Sequence, residues 1–262
     1  MSTVSARVHA TAVVDEQAVL GEGVEIGPYA VIGPDVHIGQ GTRIGAHVVI
    51  ERDTRLGSEC RVHPGAVLGG DPQDLKYGGE QAPLIIGDRT VIRECATLNR
   101  GTSSRGRTSI GSDCLIMAYA HVAHDCALGD HVILSNSVNM GGHCDIGDWV
   151  IVGGLTAIHQ FVQIGAHAFV GGCSAVRKDV PPFVKSAGDP LKLFGLNSVG
   201  LQRRGFADEE RAALRRAYRL LFQSKFNLSD ALASARAELT GSAHVEELLA
   251  FIEGSERGVT LR

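Results

Sequence analysis

The sequence predicts a parallel β-helix followed by a small helical region. Three observations lead there. An aliphatic residue or Met recurs every six positions over about 170 residues. Aromatic residues make up only 5% of the chain while glycine numbers 33, which suits a narrow core filled by small and branched side chains. Near Pro181-Pro182 the six-residue rhythm stops and a helical one begins. Neither a helix nor simple strand alternation repeats every six residues.

The first run goes by sixes from Val8 to Leu68, the second is Ile86, Ile92 and Leu98, and the third goes by sixes from Ile110 to Val176. Each hexapeptide supplies a short strand and a corner, and three close a triangular coil. Coils stack at the ordinary strand spacing of about 4.8 Å. Glycine often follows the aliphatic residue, as in Ile26-Gly27 and Ile164-Gly165, and is expected to ease corners that need positive φ. Four positions after the aliphatic residue the side chain is small: Ala30, Val48, Ala120, Thr156. Cys60, Cys114, Cys126 and Cys144 occupy this position and read as core filler. The six cysteines form no CxxC pair and read as free thiols.

Two segments, 69–85 and 99–109, break the rhythm. Both are rich in glycine, polar or charged residues, and read as loops thrown out of a regular prism, where function concentrates. The prism with these insertions is expected over 1–190. A helical domain is expected over 191–262, capping the open strand edges. Leu214, Tyr218 and Leu221 share one helix face, with Arg211, Arg215 and Arg219 on another and Arg216 beside them. "NLSDALASARAELTG" and "HVEELLAFIEG" read as two further helices, each ending at a glycine.

The balance of 25 basic against 29 acidic residues offers no general attraction to nucleic acid. No stretch approaches the roughly 20 apolar residues of a membrane span, and "MSTVSARVHATAVV" lacks an apolar run of signal length. A cytoplasmic protein without an integral membrane segment is expected.

The eighteen-residue coil gives every residue an angular address. His124, His143, His159 and Gln160 share one corner of three successive coils, and His121 lies further along the same side. Imidazole titrates near neutrality and can take a proton from a hydroxyl, so this column suits general base catalysis. Asp125 stands where it could tune His124, although neighbours on a strand point oppositely, which leaves that pairing open. His9, His37, His47, His63, His131, His167 and His244 read as solvated surface. The prism has no room for a substrate, so the site must lie outside, walled by a loop or by a second copy of the chain.

The segments "QDLKYGGE", "NRGT", "AHVAHDC", "GGHCDIGD", "GLTAIHQF", "IGAHAFVGGCSAV" and "LQRRGF" together resemble the acyl-[acyl carrier protein]–UDP-N-acetylglucosamine O-acyltransferase family, over essentially the whole chain. The resemblance implies a left-handed β-helix and a homotrimer with sites between subunits. It implies transfer of a 3-hydroxyacyl group from acyl carrier protein to the glucosamine 3-hydroxyl of UDP-N-acetylglucosamine, the first step of lipid A synthesis, with no metal or cofactor. His124 matches the general base and Gly142 the backbone oxyanion donor. Gln73, Asp74, Lys76, His121, His143, His159 and Gln160 match positions lining the cleft. Asn197, Arg203 and Arg204 match the nucleotide-binding end. Gly172 matches the acyl-chain ruler, where glycine leaves room for a longer chain. Val199 departs from the pattern, since an acidic residue is expected there. Relatives acting on a 3-amino sugar remain an alternative. The sister N-acyltransferase carries an extra N-terminal domain for which the repeats, starting at Val8, leave no space. A β-helix zinc carbonic anhydrase would use His121 and His124, and a non-catalytic scaffold would use none of these residues.

Overall fold

The computed structural model describes residues 5–261. Residues 7–196 wind into three sheets of eleven, nine and eight strands, which form the faces of a triangular parallel β-helix. Most strands are two residues long, one residue turned inward and one outward, as in Arg43–Ile44 and Ile133–Leu134. Regular coils pair residues eighteen apart, such as Val31 with Val49 and Ile133 with Ile151. The two loops are absorbed in multiples of six. Val67 pairs with Thr97, and Thr97 with His121, so the inward face never changes. The core is the stacked ladder of six-spaced aliphatics with the four buried cysteines between them. All four thiols are free, and burial pushes the Cys114 thiol up to about 11, consistent with inert packing. At the open N-terminal end the ladder is bare: Val8 is 45% exposed.

Corner chemistry differs from the expectation. Gly27 and Gly165 have ordinary φ, and they are glycine because coils approach closely there. A Cβ would lie 2.9 Å from the Gly45 carbonyl carbon in the first case and 2.5 Å from Pro182 N in the second. The left-handed corner positions are instead mostly held by larger residues, among them Asp125 (φ 59°), His143 (φ 62°) and Phe161 (φ 65°).

The strand pairing draws the loops slightly tighter than the rhythm does. The strand Val67–Gly70 extends to pair Gly70 with Asn99, and pairing resumes at Leu84 and Thr108, leaving loops 71–83 and 100–107. Beyond Pro182 the sheet continues. Val184–Ala187 adds a parallel strand, and Lys192–Leu196 turns back antiparallel to it. Helices follow: α1 (Ser198–Arg203), α2 (Asp208–Gln223), α3 (Leu228–Glu238) and α4 (Ala243–Gly254). α1 is too short to register as periodicity. α2 buries Leu214, Tyr218 and Leu221 as expected, and α4 packs Val245, Leu248, Leu249 and Ile252 inward. The tail then straps back onto the prism: Thr260 N–H donates to Asp179 O at 2.7 Å, and Ser255 Oγ donates to Asp179 Oδ2 at 2.6 Å.

His167 and His244 are not solvated surface. His131, Trp149, His167 and Phe183 stack along one corner, with neighbouring ring centroids 3.8, 6.4 and 5.7 Å apart. His244 of α4 packs on Phe183 and Phe206. This ladder is where the helices dock.

Candidate active site

The corner after the strand His121–Val122 carries His124 and Asp125. Asp125 is fully buried, yet its carboxylate is well satisfied. Thr102 N–H donates to Oδ1 at 2.9 Å and Thr102 Oγ1 to Oδ2 at 2.7 Å, while His124 Nδ1–H donates to Oδ2 at 2.8 Å. The pairing left open by the strand rule exists because Asp125 is a left-handed corner residue, where neighbouring side chains no longer alternate. Burial alone would raise the proton affinity of Asp125. The donors from His124 and Thr102 outweigh it and hold the carboxyl below its ordinary value. An anionic Asp125 fixes the proton on His124 Nδ1 and leaves Nε2 of the neutral ring as an acceptor.

One coil on, Gly142 lies directly beneath the imidazole. A Cβ there would sit 2.7 Å from His124 Cε1 and 2.8 Å from Nε2, so any other residue would push the imidazole out of its place. Its N–H makes no backbone hydrogen bond among the described residues. His143 lies edge-on to His124, centroids 5.1 Å apart, with Nε2 3.7 Å from Asp125 Oδ2. Burial lowers the His143 proton affinity despite the attraction of Asp125, so its ring is neutral at pH 7. His121 Nδ1 meets Thr97 Oγ1 at 2.7 Å; burial, with the neighbouring His124, lowers its proton affinity too.

The third ring of the stack is Phe161, parallel to His143 at 4.6 Å. Sequence reading placed His159 in that column. His159 shares the corner but turns away, its Nδ1 3.0 Å from Gln160 O and 3.2 Å from an Arg257 guanidinium nitrogen. Phe161 shares its angular address with Asp125 and His143, and the same arithmetic would have found it.

A cavity of about 280 Å³ opens between this corner and the two loops, lined by Asp74, Lys76, Tyr77, Glu80, Thr102, Ser103, Ser104, His143 and Phe161. Asp74 and Lys76 therefore line this cavity, and Gln73 and Gln160 are exposed. The ligand atoms of His124, Asp125 and His143 lie within 4.8 Å of one another, a spacing able to hold a metal ion, but Asp125 already accepts three hydrogen bonds.

The remaining candidates sit on other corners. Gly172 lies between the strands Phe169–Val170 and Ala175–Val176, directly above Gly154. Arg204 lies at the aromatic ladder. It donates to Trp149 O at 2.9 Å, approaches His167 Nδ1 at 3.3 Å and covers the Trp149 ring at 5.2 Å. Asn197 is buried; its amide caps α1 by accepting from Gly200 N–H and donates to His167 O at 3.0 Å. Arg203 is exposed in the last turn of α1, and Val199 is 59% exposed in its first turn.

A hexapeptide β-helix with a corner His–Asp pair beside a loop-walled cleft defines a hexapeptide-repeat transferase, and residues 17–52, 35–70 and 107–142 match the bacterial transferase hexapeptide family. Residues 179–260 match the second domain of UDP N-acetylglucosamine O-acyltransferase. An acyl-[acyl-carrier-protein]–UDP-N-acetylglucosamine O-acyltransferase from Chlorobaculum tepidum is 61% identical, covering 93% of both chains. LpxA from Acinetobacter baumannii superposes with a TM-score of 0.93 at 42% identity, over 97% of this chain and 99% of that one. The UDP-N-acetylglucosamine acyltransferase of Francisella novicida gives 0.94 at 35% identity, over 97% and 94%. The chain belongs to the acyl-[acyl-carrier-protein]–UDP-N-acetylglucosamine O-acyltransferase family and is an acyltransferase.

Proposed function

We propose that the chain transfers a 3-hydroxyacyl group from acyl carrier protein to the glucosamine 3-hydroxyl of UDP-N-acetylglucosamine, the first step of lipid A synthesis, in the cytoplasm. The observation that carries the chemistry is the buried Asp125 paired with His124 at the cleft. His124 Nε2 takes the proton of the sugar 3-hydroxyl while that oxygen attacks the thioester carbon. The Gly142 N–H receives the developing oxyanion, a role worth about 3 kcal/mol in other acyl transfers. Collapse of the tetrahedral intermediate breaks the C–S bond, and the proton on His124 passes to the departing thiolate. General base action of this kind contributes about 10²–10⁴-fold. Lys76, Asp74 and His143 position the sugar, His121, His159, Gln160 and Gln73 line the approach, and Asn197, Arg203 and Arg204 serve the nucleotide end.

These groups occupy three different corners of one prism, so a single chain cannot assemble them around one substrate. The homotrimer is the arrangement that would. Large apolar side chains stand bare at two of these corners: Leu75 is fully exposed and Phe161 about half exposed at the cleft, while Tyr119 and Leu155 are more than half exposed on the corner that carries Gly172. They suit the missing wall from a neighbouring copy. The acyl chain then runs toward Gly172, and Gly172→Met shortens the preferred chain; an unchanged preference sinks the ruler.

On α2, Arg215 and Arg219 are exposed, whereas Arg211 pairs with Asp208 and Arg216 reaches toward Glu238. Arg215 and Arg219 offer the acidic carrier protein a docking face. Reversing their charge raises the carrier-protein KM and spares that of the UDP-sugar; no change in either retires that face. The overall reaction is tested by mass spectrometry of products from mixed acyl carrier protein thioesters offered UDP-N-acetylglucosamine and its 3-amino analogue. The ester of UDP-N-acetylglucosamine is expected. Amide alone, or no transfer, overturns the reading.

A further inference from the structure

The loop 100–107 contributes residues to which the chemistry above gives no part. Thr102 is buried and supplies two of the three hydrogen bonds that Asp125 receives, one from its N–H and one from its hydroxyl. The loop is itself fixed on both sides. Arg105 ion-pairs with Asp145 on the strand two coils on, and Ser104 N–H donates back to Thr102 Oγ1 at 3.1 Å. Toward the other loop, Ser103 N–H donates to Glu80 Oε1 at 3.2 Å, and Glu80 Oε2 accepts from Gly78 N–H at 2.9 Å. Arg100 makes the strongest tie. It is 1% exposed, ion-pairs with Asp71 and donates to Tyr77 Oη at 3.0 Å. Its Nε and Nη1 find no hydrogen-bond acceptor among the described residues. A buried guanidinium so incompletely satisfied costs stability, which fits a task in placing the loop better than one in holding the fold.

We infer that Thr102 is a positioning residue for the His124–Asp125 pair, and that Arg100 couples its loop to the substrate-lining loop 71–83. Thr102 fixes the carboxylate rotation so that one oxygen meets both its hydroxyl and His124 Nδ1–H, which aims Nε2 into the cleft. Arg100 and Glu80 make the loop bearing Asp74 and Lys76 move with that brace, so sugar binding and base alignment are set together. The inference rests on the proposed acyl transfer with His124 as base.

The test compares Thr102→Val with Thr102→Ser in the full chain, measuring kcat, both KM values, the pH profile of kcat/KM and thermal unfolding. Valine keeps the shape and backbone N–H but removes one hydrogen bond to a charged group. The expected result is a kcat reduced about 10- to 100-fold with the UDP-sugar KM unchanged. A carboxylate that loses a donor holds protons more tightly, so the acid limb of the profile moves to higher pH. Serine restores both. Arg100→Met lowers kcat and also raises the UDP-sugar KM, because the loop carrying Asp74 and Lys76 is released. A valine variant with wild-type kcat and acid limb overturns the positioning role, as does a serine variant as impaired as valine. Arg100→Met that changes only the melting temperature overturns the coupling. An unaltered chain that transfers no acyl group from acyl carrier protein overturns the reading beneath, which separates the two failures.

Discussion

The decisive residue is Asp125, whose behaviour no local rule of strands could give. Arithmetic on the chain number was enough to place His124 and His143 at one corner, because a coil of fixed length stacks equal addresses. It could not reveal that Asp125 faces His124, since that depends on a positive φ at a non-glycine residue and on Thr102 arriving from a loop outside the repeat. The same blindness hid the reason for Gly142, which is the imidazole above it rather than its own backbone. Asp125→Asn tests the anion. It keeps the shape, removes the charge that holds the proton on His124 Nδ1, and lowers kcat by about 10²–10⁴-fold. The pH dependence of stability changes too. The folded Asp125 carboxyl titrates below its ordinary value of about 3.9, so the stability it contributes is fully present above that pH and is lost as pH falls through the lower, folded value. Chemical denaturation between pH 6 and 2 should show a shallower acid decline for Asp125→Asn than for wild type. Parallel declines would mean that the carboxylate is not specially held.

Between neighbouring segments, what repeats was legible and what interrupts was not. The inward ladder, the four buried cysteines and α2 to α4 follow from periods of 6 and 3.6. The loop edges moved because pairing extends past the last ladder residue to Gly70 and Asn99. The strands Val184–Ala187 and Lys192–Leu196 escaped notice because they extend the first sheet without the hexapeptide spacing. The docking ladder escaped because a histidine at a corner looks solvated until the helices cover it. His167 carries the consequence. Burial, then the charges of Arg204 and His244, lower its proton affinity to a value of about 4. The folded state therefore refuses a proton that the unfolded chain accepts near pH 6.5. The stability from this histidine is complete above about pH 6.5 and is lost as pH falls through the window down to about 4. His167→Phe keeps a ring between Trp149 and Phe183 and removes the titration. Its unfolding free energy should fall less steeply over that window than the wild-type value; equal slopes would assign the effect to other groups.

For the molecule as a whole, the sheet faces differ in a way that bears on assembly. The outward row of the eleven-stranded sheet runs Arg7, Glu25, Arg43, Arg61 and then Val91, Leu115, Ile133, Ile151, Phe169. Its first part satisfies itself, since Glu25 pairs with Arg7 at 2.9 Å and reaches Arg43 at 3.7 Å. Its second part is a half-buried apolar stripe five coils long, level with the corner of His124. The corresponding row of the eight-stranded sheet contains Asp145 and Gln163 instead. An apolar row confined to the coils that carry the site suits contact with another copy. Under the proposed reaction, such a copy would bring Gly172 and Arg204 toward a substrate held at His124. Ile133→Asp with Ile151→Asp places two outward charges on that stripe without touching the inward ladder or the His124–Asp125 pair. If the proposed homotrimer forms through this stripe, light scattering after size-exclusion chromatography should report a trimer for the wild type and a monomer for the variant. Acyl transfer should fall with the trimer, while circular dichroism retains the β-helix. Trimers that survive both charges would move the interface to another face, and full activity in a monomer would show that one prism holds the whole site after all.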